Sequence, residues 1–118
     1  MIDIIPKIIA EINSSPLAFQ KVYSPDFYVV EWETAPMPAV SVAERWWNES
    51  WYHRVLFVVR WANIWVTRPL AIQLITLMEA MPDKDLKRQK INWWIDDKLL
   101  KWWAETIFYM LFYEADSD

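Results

Sequence analysis

The stretch INWWIDDKLLKWW (residues 91–103) decides the fold, because its two tryptophan pairs fit either one helix or two strands. On a helical wheel, the charged and apolar residues of 84–113 are spread all round the circle, whereas a surface helix needs one apolar stripe. With a period of two, one of the two alternating sets in 87–96 is polar except for Trp94, as in a half-buried strand. This period predicts a terminal hairpin with Asp96-Asp97 in its turn, Trp93 facing inward and Trp94 facing outward.

Length and composition bound the rest of the problem. A chain of 118 residues is expected to form a single domain over 1–118. It contains no cysteine and one histidine, His53, which excludes disulfides, thiolate chemistry and histidine-rich metal sites. Glycine-rich phosphate loops and serine nucleophile elbows are absent from the sequence as well. The sequence therefore predicts neither a metal nor a cofactor.

Two residue counts are unusual for any natural domain. The chain has no glycine and ten tryptophans, whereas average glycine usage would give roughly eight in this length. Asn and Asp are then expected at positions with positive φ, with Asn63 and Asp97 among the candidates. The bias is typical of a designed or engineered sequence; a natural chain with extreme composition is the alternative.

The charge and the apolar runs indicate where the protein works. A net charge of −4 argues against nucleic acid as the main partner. The sequence has no run of about 18 apolar residues that could span a membrane. The N-terminus lacks the basic start of a signal peptide. We therefore expect a soluble cytoplasmic protein with no membrane span.

Upstream of residue 53, the sequence predicts three helices and one strand. Apolar residues at helical spacing predict a helix over 2–12, and Ser15 with Pro16 predicts a short second helix within 14–23. The aromatic and β-branched run 26–32 predicts a strand. Ser41 and Glu44 form an S-x-x-E capping box, which predicts a helix over 42–51.

The segment from residue 53 to residue 82 supports two interpretations. HRVLFVVRWANIWV (53–66) is rich in strand formers and predicts a hairpin with Asn63 in its turn. TRPLAIQLITLMEAMP (67–82) has one apolar face, a Thr67 cap and a Pro69 that disfavours a central strand. Taken alone the second stretch favours a helix, but helix and strand both stay open for 67–81.

Three stretches carry a resemblance to a known family: IIAEINSSPLAFQKVYSPDFYVVEW (8–32), APMPAVSVAERWW (35–47) and WWIDDKLLKWW (93–103). They resemble the opening helix, the third helix and the turn before the last strand of the nuclear transport factor 2-like superfamily, which includes ketosteroid isomerase and polyketide-cyclase-like proteins. The resemblance implies an α+β cone fold, with N-terminal helices packed on a curved, mostly antiparallel sheet. An all-α helical bundle is the alternative.

In such a cone, the sheet and helices would enclose an apolar pocket for a flat apolar or aromatic small molecule. The residues expected to line it are Phe19, Tyr23, Phe27, Trp47, Trp51, Phe57, Trp61, Trp65, Trp93 and Trp103. The resemblance also implies a pocket carboxylate with a raised pKa as a general acid or base. The candidate carboxylates are Asp26, Glu31 and Glu105, and His53 is a further candidate that could donate or shuttle protons.

Two functions follow from these patterns. One is a small-molecule-binding protein with a tryptophan-lined pocket, with or without weak isomerase or lyase activity. The other is a non-enzymatic interaction module that uses exposed tryptophans, either as a homodimer or as an acidic inhibitor or immunity-type protein. Because adjacent strand residues face opposite sides, one tryptophan of each pair would point outward. The sequence therefore predicts a homodimer through the outer face of the sheet.

Overall fold

A computed structural model describes residues 4–17, 19, 21–23, 38–45, 52–81, 86–101 and 103–114, with the backbone alone described for 21–23, 45, 52, 86–94 and 113–114. The elements are α1 (Ile4–Asn13), β1 (Lys21–Tyr23), β2 (Ala39–Arg45), β3 (Tyr52–Trp61), α2 (Ile64–Glu79), β4 (Leu86–Leu99) and β5 (Ala104–Glu114). They form one five-stranded sheet in the order β1-β2-β3-β5-β4, in which β1 is parallel to β2 and the other pairs are antiparallel. The protein is therefore an α+β fold and not an all-α bundle.

The terminal hairpin predicted from residues 91–103 is present, but its turn lies further along the chain. β4 continues through Asp96 and Asp97 to Leu99 and pairs with β5 throughout that stretch. The turn begins at Leu100, whose N–H donates to the carbonyl of Trp103 at 2.8 Å. The prediction of Asp96-Asp97 as turn residues is wrong, because the Asp97 carboxylate has partners of its own in the fold.

β4 is not regular along its whole length. Residues 91 and 95 lie opposite Met110 and Phe108, so four positions on β4 correspond to two on β5. Because the two extra residues are an even number, odd-numbered residues lie at the same face of the sheet on both sides of this bulge. Trp93 and Trp94 fall within it, and their predicted facing lies outside the described side chains.

The helices predicted at 14–23 and 42–51 are wrong for the parts of these segments that the structure describes. The chain bends at residues 14–16 and then forms β1, and Val40 and Val42 are buried in β2, with Ser41 between them on the other face. Alternation of buried valines is a strand pattern, and it overrides the S-x-x-E match. The strand predicted at 26–32 lies outside the described residues.

β3 and α2 settle the ambiguous segment. β3 forms as predicted, but it leads into a helix and not into a second strand, so the hairpin at Asn63 is wrong. Asn63 is the N-cap residue with φ −153° and ψ 162°, which is extended backbone. The helix favoured for 67–82 is present as α2, from Ile64 to Glu79. Thr67 is not its cap, and its hydroxyl bonds to Thr106 in the sheet.

Both helices pack on one face of the sheet. α1 contributes Ile4, Ile8 and Ile12 at one-turn spacing, which confirms the predicted N-terminal helix. The rings of Phe57 and Phe108 stack at the centre of the core, with centroids 4.8 Å apart, and both side chains are fully buried. Apolar burial of this kind is the main source of the fold's stability.

Candidate functional site

The strand register brings several large side chains to one end of the molecule. Trp61 ends β3 opposite Ala104, and Leu99 ends β4 opposite the same residue. α2 begins three residues after Trp61, so Trp65 in its first turn is at this end as well. We call this end, with Trp61, Trp65, Leu99, Leu100 and Trp103, the tryptophan end.

The apolar side chains of the tryptophan end are unusually accessible. Trp65 is 83% exposed, Leu99 76% and Leu100 42%, whereas Trp61 and Trp103 are half-buried. An isolated exposed leucine is ordinary on a protein surface, but an exposed tryptophan at the same end of a molecule as two exposed leucines is typical of a contact surface. Tryptophan is also the residue type most enriched among energetically important interface residues.

A chain of polar contacts fixes this end of α2 to the sheet. The Asp97 carboxylate accepts a hydrogen bond from the Thr106 hydroxyl at 2.7 Å. It also forms an ion pair with the Arg68 guanidinium at 2.5 Å. The Thr67 and Thr106 hydroxyls lie 2.8 Å apart, and both residues are fully buried. Because a carboxylate only accepts, all groups are satisfied when Thr67 donates to Thr106 and Thr106 donates to Asp97. Trp65 is therefore held on a rigid element.

The face of the sheet away from the helices carries a stacked arginine at the tryptophan end. The Arg60 guanidinium lies 3.8 Å from the ring centroid of Trp103, and the arginine is only 1% exposed. The Trp103 indole N–H donates to Glu105 at 3.3 Å, and Glu105 lies opposite Arg60 on β3 and opposite Lys98 on β4. A cation stacked on an indole is stabilised by the ring quadrupole. Glu105 thus lies between two basic residues, which suits a structural carboxylate better than a general base.

A second stacked arginine lies further along the same face. The Arg54 guanidinium is 4.3 Å from the ring centroid of Tyr109. Leu56, between the two arginines, is 9% exposed. This value is for a single chain, so Leu56 is buried within the protein itself. Leu56 therefore offers a partner less apolar surface than Trp65 or Leu99 does.

His53 lies at the far end of β3 and is paired with a carboxylate. Its Nδ1 bonds to the Glu44 carboxylate on β2, and the imidazole is 2% exposed. A buried imidazole needs such a partner, because an unsatisfied polar group in the core is costly. The pair therefore accounts for His53 as a structural residue. Among the described residues, no group of three or more acidic or histidine side chains is placed to hold a metal ion.

Five of the ten side chains predicted to line one pocket are described, and they lie in different parts of the fold. Phe57 is in the core and Phe19 packs at its edge. Trp61, Trp65 and Trp103 share the tryptophan end, with Trp65 pointing to solvent. Tyr23 and Trp93 lie in strands whose side chains are not described there. The remaining predicted lining and catalytic residues outside the described residues are Phe27, Trp47, Trp51, Asp26 and Glu31.

Sequence reasoning missed three residues that organise these contacts. Arg60 has the sequence context of a surface arginine, at an even-numbered position of an alternating strand next to Trp61. Its burial against Trp103 is visible only in the structure. Asp97 was assigned to a turn and Glu44 to a helix cap, since both residue types have strong local preferences. Their partners Arg68 and His53 are distant along the chain or on another strand, so only the strand register reveals them.

Neither described helix has the length and apolar character needed to cross a membrane. A scan against protein-family models finds no match for this chain, and a search of curated proteins finds none either.

Proposed function

We propose that this protein is a non-enzymatic interaction module that forms a homodimer through its tryptophan end. The observation that carries the proposal is the 83% exposure of Trp65 on a helix whose first turn is fixed to the sheet. An exposed aromatic side chain on a fixed backbone has few torsions to order on binding and buries a large apolar area. The resemblance to the nuclear transport factor 2-like superfamily concerns the fold and does not enter this argument.

The test compares two exposed apolar residues on the same face of α2. Light scattering at about 100 µM should give twice the chain mass for the wild type, since micromolar affinity is typical of a modest interface. Trp65→Ser should return the mass to 14.3 kDa. Ile72→Ser is the matched control, because Ile72 is 49% exposed but lies about 10 Å further along the helix. A wild type that stays monomeric contradicts the proposal.

Small-molecule binding, alone or with weak isomerase or lyase activity, stays a prediction. The described aromatic residues do not favour it: Phe57 and Phe108 stack on each other in the core, which leaves no room between their rings for a ligand. Quenching of tryptophan fluorescence by a panel of flat apolar compounds tests the pocket directly. The interaction proposal predicts that none of them quenches in a saturable way.

A further inference from the structure

β4 is an edge strand of the described sheet, and its last part is open to solvent. Asp96 and Lys98 are exposed and Leu99 is 76% exposed, whereas no described strand pairs with this edge. Unpaired N–H and C=O groups along such an edge are a template for another strand. The bulge ends the regular segment at Ile95 and the turn ends it after Leu99, so the usable edge is Ile95–Leu99.

The sequence of this segment, I-D-D-K-L, is complementary to itself when one copy is reversed. In an antiparallel pair centred on Asp97, Ile95 would lie opposite Leu99 of the second copy, and Asp96 opposite its Lys98. Each pairing occurs twice because of the two-fold axis. Apolar pairs and opposite-charge pairs directly across two strands are both stabilising. No shift of this register by one residue keeps both kinds of pairing, since it would place residues of opposite faces together.

We infer that a second copy of this chain docks on this edge, β4 against β4, to form one continuous sheet across the two-fold axis. The inference rests on the proposed function, whose partner and contact surface it specifies. The faces agree: odd-numbered residues of Ile95–Leu99 are on the helix side in both copies, so the helices of both copies cover the same face of the joined sheet. Trp65 and Leu99 would then flank the seam, beside Ile95 of the second copy.

The centre of the pairing places two Asp97 side chains opposite each other. Two bare carboxylates there would repel. Each one, however, already accepts bonds from Arg68 and Thr106 within its own chain. The positive charge of Arg68 in each chain thus offsets the repulsion between the two carboxylates. This gives the half-exposed Arg68–Asp97 ion pair a role in the pairing.

The experiment separates the register from dimerisation itself. In chains carrying Asp96→Lys, positions 96 and 98 are both basic, and in chains carrying Lys98→Asp both are acidic, so each variant repels its own copy. Each should dimerise at least about tenfold more weakly than the wild type. A one-to-one mixture of the two variants has complementary pairs and should recover a heterodimer, identified by native mass spectrometry. Glu79→Lys, at the other end of α2, is the matched control and should dimerise as the wild type does.

Folding of each variant is checked by circular dichroism. If Lys98→Asp fails to fold beside Glu105, the chain with Lys98→Asp and Glu105→Gln carries the same interface charge with less repulsion inside the chain. Two results would overturn the β4 edge while leaving the interaction module in place: a wild-type dimer in which neither variant weakens association, or folded single variants whose mixture stays monomeric. A monomeric wild type instead removes the proposed function, and the edge pairing with it.

Discussion

The hydroxyl of Thr106 donates a hydrogen bond to the carboxylate of Asp97 at 2.7 Å, from one strand of the terminal hairpin to the other. The two residues are directly opposite in the register, on the face that the helices cover. The same carboxylate pairs with Arg68 of α2. One acidic residue in an edge strand thus joins three elements.

Removing that carboxylate should destabilise the fold. Asp97→Ala leaves the Thr106 hydroxyl without its acceptor, so we expect the free energy of unfolding to fall by about 1–3 kcal/mol in urea denaturation. For Asp97→Gly, the free energy of unfolding should fall by about a further 0.5–1 kcal/mol, because glycine in a strand interior costs backbone entropy. In a tight turn, glycine would have been the better residue.

The matched control is Asp96→Ala, on the exposed face of the same strand, measured at a protein concentration well below that used for self-association. We expect it to change stability by less than about 0.5 kcal/mol. Equal losses at positions 96 and 97 would mean that the Asp97 contacts contribute nothing.

The two buried threonines should behave as a coupled pair. Thr67→Val and Thr106→Val each replace a hydroxyl by a methyl group in a side chain of similar shape. The remaining threonine then has one hydrogen-bond partner fewer, which should cost about 1–2 kcal/mol in each case. The double variant should lose less than the sum, with a coupling energy of about 1 kcal/mol. A double-mutant cycle in urea measures this, and strict additivity would show that the 2.8 Å contact is energetically silent.

The Glu44–His53 pair should matter for stability, although it lies far from the tryptophan end. Glu44→Ala removes the carboxylate that bonds to Nδ1 of the buried His53 and should cost about 1–3 kcal/mol. Glu44→Gln keeps an acceptor at the same place and should cost less than half as much. Glu79→Ala, an exposed glutamate, is the control with almost no expected change. Identical effects of the Ala and Gln variants would argue that the hydrogen bond is not what position 44 supplies.

Aromatic residues in the core and at the tryptophan end should differ sharply in their effect on stability. Phe57→Ala opens a cavity under Phe108 and should cost about 3–5 kcal/mol. Trp65→Ala removes a larger side chain but should change the stability of the monomer by less than about 0.5 kcal/mol, because its ring is already in water. Thermal unfolding of both variants, followed by circular dichroism, makes the comparison. A large loss for Trp65→Ala would show that the ring packs on the protein.

The terminal hairpin could be predicted because alternation along a strand is a local property of the sequence. Its turn could not, since Asp97 is kept in the strand by Arg68, which is 29 residues away along the chain. The same reason explains β2: the S-x-x-E pattern is genuine, but Glu44 is used by His53 on the neighbouring strand. Helix α2 was recognisable from its apolar face, whereas its first residue depends on where β3 ends.

The tryptophan end could not be predicted as a unit. Their number alone predicts that some tryptophans are exposed. That Trp61, Trp65 and Trp103 lie at the same end of the molecule follows from the register, in which Ala104 is the partner of both Trp61 and Leu99. Single-sequence periodicity assigns a residue to a face of its strand. It does not say which ends of distant strands are aligned.

The bulge between Ile91 and Ile95 in β4 lengthens the strand without changing which face its later residues lie on. Since it adds two residues between Ile91 and Ile95, the strand beyond it keeps the same face toward the helices. Removing one residue of the two would be far more damaging than removing both. The single deletion would turn Ile95 and Asp97 to the wrong side of the sheet, while the double deletion would simply give a straighter, shorter strand.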